Sequence, residues 1–147
     1  ILNGLAGVVL RPRAFGAIML GMSLQAILFG HGGVSVIGVN SLMLGGGALV
    51  AYGVWQLRHR FDIAKREIIF GALAGATATV FSGVVLAVAL VTTGEAFLAT
   101  AGYVLAAHIP IMVIEGAVTA AAAGYLVRVK PDVLAGHRRS SSDKSAP

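Results

Sequence analysis

A chain of 147 residues and 15.0 kDa has the length of one ordinary domain but not the composition of a soluble one. Hydrophobic residues make up 57%, charged residues 12%, and the mean hydropathy is +0.88; 6 acidic and 11 basic residues cannot cover the surface of so small a globule, and so apolar a chain is not disordered. No cysteine is present, which excludes a disulfide framework, a thiolate metal cage and a cysteine nucleophile.

Residues 1–10, ILNGLAGVVL, are apolar but too short to cross a hydrocarbon core of about 30 Å, which takes about 20 helical residues. They lead into Arg11-Pro12-Arg13 and read as the inner end of a truncated transmembrane helix. A signal peptide does not fit, because its positive region precedes the apolar stretch and here it follows. Four spans come next: 14–30, 32–57 and 68–94, all without a charge, and 96–127, with one carboxylate, Glu115, and one imidazole, His108. Barrel strands are about 10 residues long with polar alternation, so strands cannot account for these runs. The expected fold class is all-α: a polytopic transmembrane helical bundle of four full spans plus the end of a fifth, with residues 14–127 as the membrane domain. Lys130-Pro131 ends the last helix, and residues 131–147 read as a polar, disordered cytoplasmic tail.

The basic residues orient the bundle. Arg11 and Arg13 precede the first full span, and Arg58, Arg60, Lys65 and Arg66 separate the second from the third. Arg128, Lys130, Arg138, Arg139 and Lys144 follow the fourth. In a hairpin arrangement all 11 fall on one side, and the other side holds only the turns at His31-Gly32-Gly33 and Thr93-Gly94-Glu95. Short loops rich in Lys and Arg stay on the cytoplasmic side. The turns at His31 and Glu95 are therefore expected outside, the C-terminus in the cytoplasm, and the protein in the cell membrane as a multi-pass component of the lipid bilayer. Topology accounts for the isoelectric point of 10.3. No basic face or aromatic platform points to nucleic acid.

Small residues recur inside the spans: the Gly71-x-x-x-Gly75 run, Gly45-Gly46-Gly47, and 120–124. Such stripes let helix backbones approach closely, within one bundle or against a second membrane subunit.

Four polar residues stand out against this background. His31, between Gly30 and Gly32-Gly33, is a metal-ligand candidate, because neutral imidazole suits borderline divalent metals and glycine permits close approach. The competing reading is an interfacial histidine at a helix end. Asn40 either bonds a neighbouring helix or turns back to fix the His31 tautomer. His108 and Glu115 lie two helical turns apart on one face with Met112 and Thr119, where ionisable groups mark a pathway or join helices. Pro110, between them, is expected to kink the helix. No HExxH, Ser/His/Asp set or Walker motif is present, so no catalytic residues are expected.

QAILFGHGGVSVIGVNSLMLG (residues 25–45) resembles the signature of the CbiM/NikM family, the substrate-capture membrane components of energy-coupling-factor cobalt and nickel importers. LNGLAGVVLRPRAF and AAHIPIMVIEGAVTAAAAGYLVRVKPDVL are similar to that family's flanking and final segments. The resemblance implies a bundle of six or seven helices that captures Co²⁺ or Ni²⁺ from outside as its transported substrate, with no organic cofactor. An inserted Met-His start supplies nitrogens in the family, and the FGHGG histidine, here His31, completes the site. Implied partners are a membrane coupling subunit, a pair of cytoplasmic ATPases and a small accessory membrane protein. The function expected is thus a non-enzymatic metal-capture subunit of an ATP-driven cobalt or nickel importer. The alternatives are a structural or assembly membrane subunit, and a self-contained proton-coupled transporter using His108 and Glu115.

Overall fold

The computed structural model describes residues 2–30 and 33–134, and these are helical throughout apart from short connections. Five α-helices follow in order: α1 Asn3–Leu10, α2 Arg13–Phe29, α3 Ile37–Leu57, α4 Arg66–Thr93 and α5 Leu98–Val129. Single 3₁₀ turns at Val34–Val36, Arg58–Arg60, Glu95–Phe97 and Pro131–Val133 join or end them. The second and fourth spans accordingly start later than charge alone suggests, since a tight turn takes their first residues. Three stretches, Ile37–Arg60, Arg66–Thr93 and Glu95–Val129, are long and apolar enough to cross a membrane, and α2 is a shorter apolar helix. Pro110 lies inside α5 without interrupting it.

The burial pattern is the reverse of a soluble protein's. Among the described residues the core is mostly small, with Ala48, Ala51, Ala74, Ala78 and Ala123 at or near zero exposure. Large apolar side chains such as Leu20, Ile27, Phe29, Tyr103 and Ile114 point outward. Lipid tails are as apolar as leucine, so helix association there gains from close packing rather than from hydrophobic burial. Glycine supplies that packing. α4 and α5 run antiparallel, with Gly71 against Ala120 and Ala123, Gly75 against Glu115 and Thr119, and Gly83 against the His108 ring. The Gly45-Gly46-Gly47 run of α3 receives Phe15 of α2, Phe81 of α4 and the Ala78 carbonyl of α4 on successive residues. The small-residue stripes therefore serve packing within the bundle.

α1 is the most tightly inserted element. A Cβ at Gly4 would lie 2.5 Å from the Cα of Gly75, and one at Gly7 would collide with the carbonyl of Ala48. The helix is thus wedged between α3 and α4, with no room for a side chain on either side.

One end of the bundle gathers the charges. Val8, Trp55, Phe70 and Leu134 share a core cluster, so the ends of α1, α3 and α5 and the start of α4 come together there. Arg58 is buried beside it, its guanidinium 4.1 Å over the Trp55 ring and donating to the Trp55 carbonyl at 2.9 Å. Phe61 stacks on Phe70 at 5.8 Å, closing the α3–α4 turn. The described basic residues follow this topology to one end. Arg138, Arg139 and Lys144, and the tail from 135 to 147, lie outside the described residues.

Candidate functional site

The loop between α2 and α3 stands at the opposite end from the arginines. His31 and Gly32, the expected metal ligand and its neighbour, lie outside the described residues. Their flanks carry the conformation that glycine was expected to provide. Gly30 ends α2 with φ 63°, its N–H donating to the Ala26 carbonyl at 3.1 Å, and Gly33 has φ 69°. A left-handed residue on either side of His31 is one that L side chains rarely adopt, which is why the sequence spends glycine on both. Asn40 is half-buried in the first turns of α3, where its side chain makes no hydrogen bond among the described residues. Its expected partner, His31, is outside them.

His108 and Glu115 both face α4, as their spacing requires, but they enter different surroundings. Glu115 is buried beneath α1, and its Oε1 accepts a hydrogen bond from the Gly4 N–H at 2.9 Å. That N–H lies in the first turn of α1, where backbone donors have no helical acceptor, so the carboxylate satisfies a donor that lipid could not. His108 is half-buried, its ring laid on Gly83, and lines a small cavity of 90 Å³ with Val80, Val84, Leu105, Ile109 and Met112. Its Nδ1 is 2.8 Å from the Val104 carbonyl. A carbonyl only accepts, so Nδ1 carries a proton. No hydrogen bond joins His108 to Glu115 among the described residues, and the two do not form one site.

A polar contact between helices adds a residue that sequence reasoning passed over. Asn3, buried near the start of α1, directs Nδ2 to Ser82 Oγ at 3.4 Å. The Ser82 hydroxyl lies 2.9 Å from the Met43 carbonyl and 3.0 Å from the Ala78 carbonyl, and donates to one of them at a time. One hydroxyl thereby links α1, α3 and α4. The signal was an amide inside an otherwise apolar decapeptide. Ser41 and Thr119 hydroxyls are also buried, with no partner among the described residues.

Within the described residues no group of three or more His, Asp or Glu side chains could hold a metal ion.

Comparison with known proteins reaches the same class independently. The family described as "Cobalt uptake substrate-specific transmembrane region", CbiM, matches residues 1–133. A putative metal transport protein of Haemophilus influenzae is 28% identical over 136 residues, 91% of this chain and 66% of that protein. Putative cobalt transport protein CbiM 2 of Methanocorpusculum labreanum is 34% identical over 117 residues, 75% of this chain and 51% of its own length. A putative fused nickel transport protein NikMN of Archaeoglobus fulgidus is 26% identical over 143 residues, 90% of this chain and 45% of its own. The matched part of the chain thus corresponds to between about half and two thirds of each relative's length. No solved structure matches.

Proposed function

The chain belongs to the CbiM family, a cobalt and nickel transport family of the membrane, and we propose that it forms part of the subunit that captures Co²⁺ or Ni²⁺ for an ATP-driven importer. The observation that carries this reading is the family match over residues 1–133, together with the separation of ends in the fold. The described arginines and lysines collect at one end, and the glycine-flanked His31 loop leaves α2 at the other. By the positive-inside rule the basic end, with the C-terminus, faces the cytoplasm, and His31 faces the side from which metal arrives. His31 is the metal ligand supplied by this chain, and Asn40 the candidate to orient it. The metal is cargo rather than a resident cofactor. A membrane coupling subunit and a pair of cytoplasmic ATPases supply the work, since no nucleotide-binding motif is present here, and a small accessory membrane protein completes the assembly.

Glu115 and Asn3 favour a supporting role within this reading. Both bond across helices in the buried interior, where they hold α1 in place. A self-contained proton relay through His108 and Glu115 gains no support from their geometry, because they reach separate places.

Metal accumulation in cells tests the proposal. The full-length protein, expressed together with a coupling subunit and a pair of ATPase subunits, should accumulate radiolabelled Co²⁺ or Ni²⁺. Accumulation should stop when the ATPase nucleotide site is inactivated. Uptake that persists without those subunits would instead support the self-contained transporter.

A further inference from the structure

The two described basic turns of the bundle use their cations differently. In the α3–α4 turn, Arg58 is stacked on Trp55 and Arg66 pairs with Glu67 at 3.1 Å. In the α1–α2 turn, the Arg11 and Arg13 side chains are exposed and make no hydrogen bond or ion pair with any described residue. They flank a depression of 510 Å³ whose other walls among the described residues are Val9, Leu10, Pro12 and Val133, with no carboxylate among them. α2 starts at the same place. Its N-cap is Pro12, it has no side-chain cap, and its first turn carries no acidic residue, so the positive end of the helix dipole is left uncompensated beside the arginines. Arg11 itself is held at φ 60°, a conformation rare for an L side chain.

From this we infer that the depression between the α1–α2 turn and the end of α5 binds the phosphate of an anionic membrane lipid. Two guanidinium groups match a phosphate in charge and in forked hydrogen-bond geometry. The rest of the wall is aliphatic, which suits the glycerol and first acyl carbons of a lipid and gives a small hydrated anion nothing to bind. Depth agrees as well: the site lies where apolar helices end and arginines begin, the level of headgroups.

Native mass spectrometry of the full-length protein, released from nanodiscs of phosphatidylcholine with phosphatidylglycerol, tests this directly. Wild type should retain phosphatidylglycerol. Arg11→Gln with Arg13→Gln should weaken retention about thirtyfold, about 2 kcal/mol at 1.4 kcal/mol per tenfold, for two cations near a membrane surface. Arg60→Gln with Lys65→Gln removes the same charge from the same end and should leave retention unchanged. All four positions are exposed, so both pairs keep the fold. Excess inorganic phosphate should not displace the lipid. Equal losses in the two double variants would reduce the effect to general surface potential and overturn the site. So would no loss in either, and displacement by inorganic phosphate would make it a free-anion site instead.

Discussion

α1 and α2 are neighbours in sequence, and both are apolar, but the bundle treats them oppositely. α1 has only eight residues, and Asn3, Gly4, Gly7 and Val8 are buried. α2 has 17, of which Ala14 and Ala26 are buried, while Ile27, Leu28 and Phe29 are 71%, 69% and 79% exposed. Apolarity does not decide which helix is held, since both dissolve equally well in lipid. What decides is whether a face is small enough for another backbone to approach and carries a polar group that needs a partner. α1 has both, in Gly4, Gly7, Asn3 and the Gly4 N–H. α2 offers Phe15 to Gly45 and little else, and it is α2 that leads into the His31 loop. The interior is fixed by glycine and a few hydrogen bonds, and the connection to α3 starts from the helix least engaged with it.

The comparison can be broken most severely at Gly7. Gly7→Val should destabilise the protein by about 3 kcal/mol or more, because a branched side chain has to displace the α3 backbone. The same change at Gly16 or Gly21 of α2, where a Cβ meets nothing within 4 Å, should cost less than about 1 kcal/mol. Thermal unfolding in detergent separates the two. Equal shifts would mean that α1 is no more tightly held than α2.

Next in size is the Glu115 carboxylate. Glu115→Ala leaves the Gly4 N–H buried and unpaired and should cost about 1.5–3 kcal/mol, whereas Glu115→Gln keeps an acceptor oxygen and should cost about half of that. If Gln is as damaging as Ala, the carboxylate charge matters for more than the hydrogen bond to α1, and its role as a pathway group returns. Gly83→Ala is a further step down, at about 1–2 kcal/mol. Its methyl would lie 2.9 Å from His108 Cγ, so the ring has to shift and strain its contact with Val104. Histidine ¹⁵N chemical shifts report the tautomer: Nδ1-protonated in the wild type, a mixture in the variant.

The smallest energetic effect tests topology rather than stability. Single cysteines at Glu95 and Ala64, both exposed in connections, should leave folding intact and label from opposite faces of the membrane. Labelling from one face would break the opposed placement of the His31 loop and the basic end.

Much of this fold was legible in the sequence. The charge-free runs locate α2 to α5 within a few residues, and the basic residues sort the ends, because the bilayer imposes length and charge rules with few exceptions. The small-residue stripes likewise announced close packing. Their pairings were not legible: nothing local says that Gly75 meets both Gly4 and Glu115, since that depends on the register of three helices. Of the candidate site, the glycine conformations beside His31 were readable, whereas the divergence of His108 and Glu115 was not. Seven residues place two side chains on one face of a helix, but α1 covers the surroundings of Glu115 alone.

Calorimetric titration of the full-length protein with Ni²⁺ or Co²⁺ tests the central claim most directly, with His31→Ala and His108→Ala beside the wild type. The account predicts that His31→Ala abolishes high-affinity binding while His108→Ala leaves it intact. Unchanged affinity in His31→Ala, or loss on His108→Ala alone, would contradict it.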